Sequence, residues 1–511
     1  MRESASPDPI QAVPPRGDGA AGEDLPGKGQ AAGSRARTRT RWDLIEAALA
    51  VVAFVVLCLA VLHTATYMPE PDDHAYQGSV VALADGYPLT LSTAQMDALA
   101  AHLSGSGGPA AAGPGTGING IAQWVRLPNG RWISEKDPGY PFLAVAFQAL
   151  GVIRGAPLFY GALACLGLFF GARRWLGRFG GALAVGLYCS SGAALLFAWR
   201  DYMPTFIDAS LVAAGTGTLL WAVLAVEASN RRRGWAGLAG FVALEAAVFA
   251  RYTDIVVLSC AVLAVVLAWR LRAARLTAPM LACWLGSVAV FGAGLAVFDD
   301  LVYGGPLRQG YQPGEITFSL GAIWPNLHSM PPHLIQAIPM LVLGLTALAW
   351  IGWRWVRLRR VRQPDAGLSA VARRDAAVGL ALAASWLAVW GLYAAYTWTV
   401  PSGGSTLQVV RFYVPALGAI SLLGAWLITR LPGRAWLAAV ASVVVVGAMF
   451  GFGVRSFDEM VASRLGGPTI VHGCPPHLAG PARSHCVLGP GPVRGPAPGP
   501  GVKLPAVKAP G

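Results

Sequence analysis

Residues 44–62 read LIEAALAVVAFVVLCLAVL, an almost unbroken apolar run, and a short acidic stretch, EPDDHAY, follows at residues 70–76. A helix over this run is about 28 Å long at the usual rise per residue, which is close to the thickness of a bilayer's hydrocarbon core. The run therefore predicts a first transmembrane helix, with Asp72 and Asp73 just beyond the membrane face.

The composition extends this prediction to the whole chain. Of the 511 residues, 55% are hydrophobic and only 13% are charged, which excludes a soluble protein of this size. The net charge is +13, but Lys and Arg cluster in short segments between apolar runs, as the positive-inside rule describes. The basic balance therefore reflects membrane topology, and we expect no nucleic-acid partner.

Hydropathy and loop charges predict an all-α polytopic membrane protein with about 11 transmembrane helices, the N-terminus cytoplasmic and the C-terminus exterior. Residues 142–153 are apolar but too short to span, so we interpret them as an interfacial helix on the exterior face. The predicted spans are residues 44–62, 158–170, 182–199, 204–226, 235–250, 255–269, 279–298, 334–353, 376–396, 412–428 and 436–452.

Three regions follow from this pattern. Residues 1–41 are rich in Pro, Gly, Ala and Arg and predict a disordered basic cytoplasmic tail. The transmembrane domain is expected over residues 42–453, and an exterior Pro/Gly-rich tail over residues 454–511. The exterior loops are expected at residues 65–138 and 299–333, the first with short interfacial helices at residues 76–84 and 93–103.

Two of the seven cysteines stand apart from the apolar segments. Cys474 and Cys486 lie in the C-terminal tail, where an oxidising compartment would allow them to form a disulfide. His477 and His485 lie nearby, so a metal site is the alternative. The other five cysteines lie in apolar runs and are interpreted as small buried hydrophobic residues.

The polar loops carry the groups that could do chemistry. Asp72 and Asp73 are adjacent carboxylates, which can share a proton or a divalent cation, although a solvated loop would contain the same pair. Lys136 lies in the stretch EKDPGYP at residues 135–141, where it either pairs with its acidic neighbours or faces a phosphate at headgroup depth.

Arg200, Arg251 and Arg411 recur at predicted exterior helix ends, where the positive-inside rule disfavours arginine. Several such exceptions on the acidic side of the membrane favour a converging anion site. Tyr311 lies in a turn-rich loop that could close over this site. Glu245, inside a span, is interpreted as a partner in an interhelical hydrogen bond.

Sequence motifs for nucleotide chemistry are absent. The sequence contains no Walker A motif, no dinucleotide-binding glycine fingerprint and no HExxH pair. If the chain is an enzyme, its energy is therefore expected to come from an activated lipid-linked substrate.

These motifs, in this order, resemble those of GT-C type glycosyltransferases, which use polyprenyl-phosphate sugars. That family includes protein O-mannosyltransferases, the lipid A aminoarabinose transferase and bacterial relatives. DDHAY at residues 72–76 resembles the start of the family's first exterior loop, and KDPGYP at residues 136–141 is similar to its Lys-Pro-Pro-Gly-Tyr-Pro element. Residues 299–311 look like its Asn-x4-Gly-Ser-Pro-x3-Gly-Tyr loop, and RFYVP at residues 411–415 resembles its Arg-Phe-x-x-Pro opening of a late span. Asp137, Asp73 and Asp299 depart from this pattern, since Pro, Glu and Asn are common at those places.

The resemblance implies a GT-C type bundle that transfers one sugar from a polyprenyl-phosphate carrier to a lipid, glycan or protein acceptor. Asp72 or Asp73 would be the catalytic carboxylate that deprotonates or orients the acceptor hydroxyl. The resemblance assigns donor phosphate binding to Lys136, Arg200, Arg251 and Arg411, and the substrate pocket to Tyr76, Tyr140 and Tyr311. A divalent cation at the two aspartates stays open.

Two other functions fit the same sequence. A flippase or transporter for a lipid-linked saccharide would need a cavity open alternately to both sides, and it would not need the two aspartates for chemistry. A non-catalytic membrane assembly partner would not need the exterior charges to converge. In each case we expect a multi-pass protein of the cytoplasmic membrane in contact with membrane lipids.

Overall fold

The computed structural model describes residues 28–63, 71–105, 123–271, 274–306, 308–311, 316–360, 366–400, 409–431 and 435–465. Within these residues the chain is almost entirely helical, with one short hairpin. The helices are α1 (Lys28–His63), α2 (Pro71–Ala84), α3 (Thr93–Gly105), α4 (Gly139–Ala149), α5 (Gly155–Leu176), α6 (Gly180–Cys189), α7 (Gly192–Ala198), α8 (Thr205–Leu224), α9 (Asn230–Ala250), α10 (Ile255–Arg270), α11 (Ala278–Tyr303), α12 (Leu320–Ala337), α13 (Leu341–Arg360), α14 (Ala366–Ala394), α15 (Leu417–Thr429) and α16 (Ala435–Leu465). The strands are β1 (Trp124–Arg126) and β2 (Trp132–Ser134), and 3₁₀ turns occur at Tyr252–Asp254, Thr397–Thr399 and Val409–Ala416.

The chain divides into two units. The first, Met1–Ile45, is described from Lys28, where it forms the beginning of α1. The second, Glu46–Gly511, contains a large apolar core. Residues 1–27 and 466–511 lie outside the described residues, and the predicted Cys474–Cys486 disulfide lies there with them.

The predicted spans correspond to helices. Among the described residues, eight helices are long and apolar enough to cross a membrane, and two bent pairs raise the number to ten. These pairs are α6 with α7, bent by 60°, and α12 with α13, bent by 107°. A shorter apolar helix, Ser442–Phe457, coincides with the last predicted span. The prediction of a polytopic all-α membrane protein is therefore confirmed.

The basic clusters meet at one end of the bundle. Arg174, near the end of α5, donates a hydrogen bond to a carbonyl at the end of α8 (3.0 Å). Arg233, near the start of α9, donates to the carbonyl of Arg275, which precedes α11 (2.7 Å). Arg430, just after α15, pairs with Asp375 of α14 (3.3 Å). The basic segments that the positive-inside rule assigns to one side of the membrane thus contact one another.

Polar side chains also join two spans within the bundle. Ser287 of α11 donates a hydrogen bond to Glu245 of α9 (2.9 Å), and the indole of Trp284 donates to the carbonyl of Gly234 (2.9 Å). The interhelical hydrogen bond predicted for Glu245 is confirmed.

The first predicted exterior loop folds around a small apolar core of its own. The predicted helices at residues 76–84 and 93–103 correspond to α2 and α3. The antiparallel hairpin of β1 and β2 places Trp124 in this core, beside Met96 and Leu99, and its indole donates to the carbonyl of Ala75 (3.4 Å). Sequence patterning missed this hairpin because strands of three residues are too short to show an alternating period.

The second predicted loop is shorter than expected. α11 continues to Tyr303, and α12 begins at Leu320, inside the predicted loop of residues 299–333. Proline lacks a backbone donor and is disfavoured in helix interiors. Because this helix contains Pro325, Pro331 and Pro332, the sequence did not predict it.

Candidate active site

A four-residue loop between β2 and α4 carries the central cation of the site. The backbone N–H of Lys136 donates a hydrogen bond to the side-chain oxygen of Ser134, where the hairpin ends (3.2 Å). α4 begins at Gly139, where a Cβ would lie 2.2 Å from the backbone of Phe249 near the end of α9. Because no other residue permits this approach, the loop is held against the end of α9, which is followed by Arg251.

Two cations converge on Asp72, in the first turn of α2. Its carboxylate oxygens lie 3.1 Å from Nζ of Lys136 and 3.0 Å from Nη2 of Arg411. Lys136 also lies 3.2 Å from the carboxylate of Glu135, and it donates a hydrogen bond to the hydroxyl of Tyr311 (3.4 Å). We call these five residues the Asp72 cluster; separate parts of the chain bring them together.

The Asp72 cluster is poorly hydrated but remains charged. Lys136 is 7% exposed, whereas Asp72 and Arg411 are 16% and 17% exposed, so the last two are more accessible than Lys136. Burial alone would raise the pKa of Asp72, but Lys136 and Arg411 outweigh burial and hold that pKa well below its usual range. Burial also opposes the charge of Lys136, yet Asp72 and Glu135 raise the pKa of Lys136 above its usual range. The ion pairs therefore keep both groups ionised at neutral pH.

Asp73 lies in a different environment from its neighbour. Arg200, which follows α7, binds its two carboxylate oxygens at 3.2 and 2.6 Å, and neither side chain is more than 1% exposed. Asp72 and Asp73 thus have different partners, because successive helical residues point about 100° apart. The structure does not bring Arg200 into the Asp72 cluster.

Arg251 lies behind the cluster and supports it. Its Nε lies 2.9 Å from the carboxylate of Asp208, and its Nη2 donates to the hydroxyl of Thr205 (3.0 Å). Its Nη1 donates to the backbone carbonyl of Arg411 (3.2 Å), so Arg251 ties the start of α8 to the chain that carries Arg411. Asp208 was missed from the sequence, although a carboxylate within an apolar span is itself a signal of a paired or functional group.

The three predicted pocket tyrosines lie at different depths. Nζ of Lys136 lies 4.8 Å from the ring centroid of Tyr311, which is partly exposed. Tyr76 and Tyr140 are buried and pack edge to face, with their ring centroids 5.1 Å apart. The hydroxyl of Tyr140 donates to the backbone carbonyl of Asp201. Tyr311 therefore contacts Lys136, whereas Tyr76 and Tyr140 are buried against each other.

A close backbone contact brings Tyr311 to the cluster. A Cβ at Gly310 would lie 2.5 Å from Cα of Glu135, so the two backbones touch. Tyr396 also lies near the cluster and was missed from the sequence. Burial raises the pKa of Tyr396 to about 12, while Lys136 and Arg411 act in the opposite direction.

A divalent cation does not fit the residues present. The carboxylate oxygens of Asp72 are engaged by Lys136 and Arg411, and those of Asp73 by Arg200. Within the part of the chain that the structure describes, no group of three or more His, Cys, Asp or Glu side chains could hold a metal ion.

Comparison with known proteins finds no matching family model and no matching curated protein. Among solved structures, ArnT from Cupriavidus metallidurans in the apo state is 16% identical, with a TM-score of 0.44 over 84% of this chain and 65% of that chain. The same protein bound to undecaprenyl phosphate is 16% identical, with a TM-score of 0.44 over 87% and 68%. The apo oligosaccharyltransferase of Archaeoglobus fulgidus is 10% identical, with a TM-score of 0.48 over 83% and 58%.

The present chain is shorter than each of these proteins and spans 58% to 68% of their length. The similarity is structural and occurs at low sequence identity.

Proposed function

We propose that the chain is a membrane glycosyltransferase that moves a single sugar from a polyprenyl-phosphate carrier to an acceptor hydroxyl on the exterior face of the cytoplasmic membrane. The observation that carries this proposal is the convergence of Lys136 and Arg411 on Asp72. The cluster combines an ionised carboxylate with two cations, and this is the combination that transfer from a phosphate leaving group requires.

The cations match the charge that develops in such a reaction. When the bond between the anomeric carbon and the phosphate oxygen breaks, the phosphate gains negative charge. Fixed cations stabilise this charge most strongly where water is scarce, as it is around Lys136. Arg411 can present two parallel donors to a phosphate, whereas Lys136 acts as a point charge. We therefore assign the donor phosphate to these two residues.

The remaining groups have separate roles in this proposal. Asp72 lies at the accessible edge of the cluster, where it can orient an acceptor hydroxyl through its oxygens. Arg251 positions Arg411 through its hydrogen bond to the Arg411 carbonyl, and Tyr311 offers an aromatic face for the sugar. The buried pair of Asp73 and Arg200 supports α2 from beneath.

The location of the site agrees with an exterior reaction. The Asp72 cluster is built at the ends of spans, from residues next to the end of α9 and the start of α15. The basic clusters meet at the opposite ends of α8, α9 and α15. The positive-inside rule assigns the basic end to the cytoplasm, which leaves the cluster on the other side.

The test is transfer of radiolabelled sugar from polyprenyl-phosphate hexoses and pentoses in membranes that contain the protein. We expect wild type to transfer at least one of these sugars and Asp72→Asn to lose about 100-fold of that rate, the scale of loss when a reacting group is misplaced. The matched control is Asp97→Asn, an exposed aspartate of α3, which should behave as wild type.

Each result has a defined meaning. Equal transfer by wild type and Asp72→Asn would remove the proposed role of the cluster. Movement of the intact lipid-linked sugar across the bilayer, without transfer, would support the flippase alternative instead.

A further inference from the structure

Asp137 lies between the central cation and α4, and it differs from the other carboxylates of the site in how it is held. Its side chain is partly exposed, and the backbone N–H of Tyr252 acts to lower the pKa of its carboxyl group. Among the described residues, the ion pairs that engage Asp72, Asp73 and Asp208 have no counterpart at Asp137.

We propose that Asp137 is the catalytic base that takes the proton from the acceptor hydroxyl, while Asp72 orients that hydroxyl and holds the cations in place. This inference rests on the proposed function and adds a residue to it. The resemblance to other glycosyltransferases does not supply it, because the similar element carries proline where this chain has Asp137.

The other carboxylates are poorly suited to accept a proton. Asp72 lies between two cations at 3.0 and 3.1 Å, and Glu135 lies 3.2 Å from Lys136. Asp73 is bound by Arg200 and is not exposed at all. A carboxylate held by cations has a low proton affinity, and a buried one cannot reach a substrate, so neither kind matches the requirements of a base.

The surroundings of Asp137 favour proton uptake near neutral pH. Burial raises the pKa of Asp137 to about 7, with Arg251 and Lys136 acting to lower it and Asp299 acting to raise it. Burial and the charge of Asp137 both raise the pKa values of Tyr76 and Tyr311. The titratable and charged groups around Asp137 lie on several elements: Tyr76 on α2, Lys136 in its own loop, Asp208 on α8, Arg251, Tyr252 and Asp254 after α9, Asp299 and Tyr303 on α11, and Tyr311.

In the proposed step, one proton moves to Asp137 and one electron pair leaves with the phosphate. The acceptor O–H bond breaks and its proton passes to a carboxylate oxygen of Asp137. The acceptor oxygen forms a bond to the anomeric carbon as the bond from that carbon to the phosphate oxygen breaks. The electron pair leaves with the polyprenyl phosphate, whose added negative charge lies beside Lys136 and Arg411. Asp137 then returns its proton to water.

The experiment measures the pH dependence of kcat/KM from about pH 5 to about pH 9, a range that brackets the expected ionisation. Wild type is compared with Asp137→Asn, Asp137→Glu and the control Asp97→Asn. We expect wild-type transfer to rise through about pH 7 because the ionised form of Asp137 is the active one. Asp137→Asn should be slower by at least about 100-fold at pH 8 and should lack this rise, and Asp137→Glu should keep the rise.

Binding and stability separate a base from a structural residue. Asp137→Asn should bind polyprenyl phosphate, without sugar, as tightly as wild type. Its thermal unfolding midpoint at pH 8 should not fall below that of wild type. The reason is that the pKa of Asp137 is raised in the folded protein, so wild-type stability falls as pH rises toward 7 and the amide removes this loss.

Two results would overturn the inference while leaving the proposed function intact. The first is that Asp137→Asn transfers sugar with the same rise in rate with pH as wild type. The second is that Asp137→Asn binds polyprenyl phosphate more weakly than wild type and also has a lower unfolding midpoint. If wild type transfers no sugar from any donor, the proposed function is wrong, and the proposed role of Asp137 is then wrong as well.

Discussion

Adjacent side chains in the first turn of α2 have different partners. A helix N-terminus favours carboxylates, which accounts for both Asp72 and Asp73 at this position. Because helical residues diverge around the axis, Asp73 points to Arg200 inside the protein and Asp72 points to Lys136 and Arg411 at an accessible edge. We therefore expect substitutions of Asp73 to act on stability and substitutions of Asp72 to act on transfer.

The pair of Asp73 and Arg200 provides a test at the residue scale. Arg200→Met leaves a buried carboxylate without its cation, and breaking a buried pair in this way costs about 3–5 kcal/mol of unfolding free energy. The control is Glu227→Gln, which removes an ion pair with Arg174 at a site where Glu227 is 61% exposed. Exposed pairs contribute about 1 kcal/mol or less.

Denaturant titration in detergent micelles measures both variants of this test. The double variant Asp73→Leu with Arg200→Leu should recover part of the loss, because neither charge is then left alone. An unfolding free energy of Arg200→Met equal to that of wild type would contradict the assignment of this pair to stability.

At the scale of elements, close helix contacts decide where the site forms. α4 is too short to span a membrane, and its first residue, Gly139, lies against the backbone at the end of α9. This contact sets the loop that carries Lys136 and Asp137 beside Arg251. The hairpin fixes the other end of the same loop through Ser134.

Gly139→Ala tests this contact. The added Cβ would lie 2.2 Å from the carbonyl carbon of Phe249, so either α4 or α9 must move. Overpacking of this kind costs about 1–3 kcal/mol, and we expect a lower thermal unfolding midpoint in detergent together with reduced transfer. The matched control is Gly294→Ala in α11, where a Cβ meets no atom within 4 Å. Alanine is favoured over glycine in a helix by about 0.5–1 kcal/mol, so the control should not lose stability. A loss in the control as large as that of Gly139→Ala would contradict the role of the Gly139 contact.

For the whole molecule, the distribution of charge separates the two ends of the bundle. Arginine-bearing segments lie at the ends marked by Arg174, Arg233 and Arg430 and contact neighbouring elements there. Carboxylates and their paired cations gather at the other end, around Asp72 and Asp208. We therefore expect a single orientation in the membrane, with the site on the exterior face.

Cysteine labelling in intact cells tests this orientation. In a background without other reactive thiols, Asp97→Cys replaces an exposed residue of α3 in the first predicted exterior loop, and Arg232→Cys replaces an exposed residue at the start of α9. A membrane-impermeant maleimide should label Asp97→Cys in intact cells and Arg232→Cys only after lysis. The reverse pattern would place the site in the cytoplasm, and labelling of both in intact cells would contradict the separation of the two ends.

The sequence by itself determined the fold class and the spans, and it singled out Asp72, Lys136 and Arg411, which the structure brings together. Hydropathy is a local property, so each predicted span could be placed without knowledge of its neighbours, and Arg251 and Arg411 stood out because they interrupt a charge pattern. The hairpin, the helix with three prolines and the role of Asp208 were not predicted, because their stability comes from contacts made elsewhere in the chain.

Only the tertiary structure decided which charges meet. Lys136 and Tyr311 lie 175 positions apart in the chain, and no local pattern predicts their contact. Asp72 and Asp73 are equivalent in the sequence, but packing gives one a buried arginine and the other an accessible pair of cations. The physical reason is that the pairing and proton affinity of a carboxylate depend on the charges and solvent around it, and folding alone brings these into place.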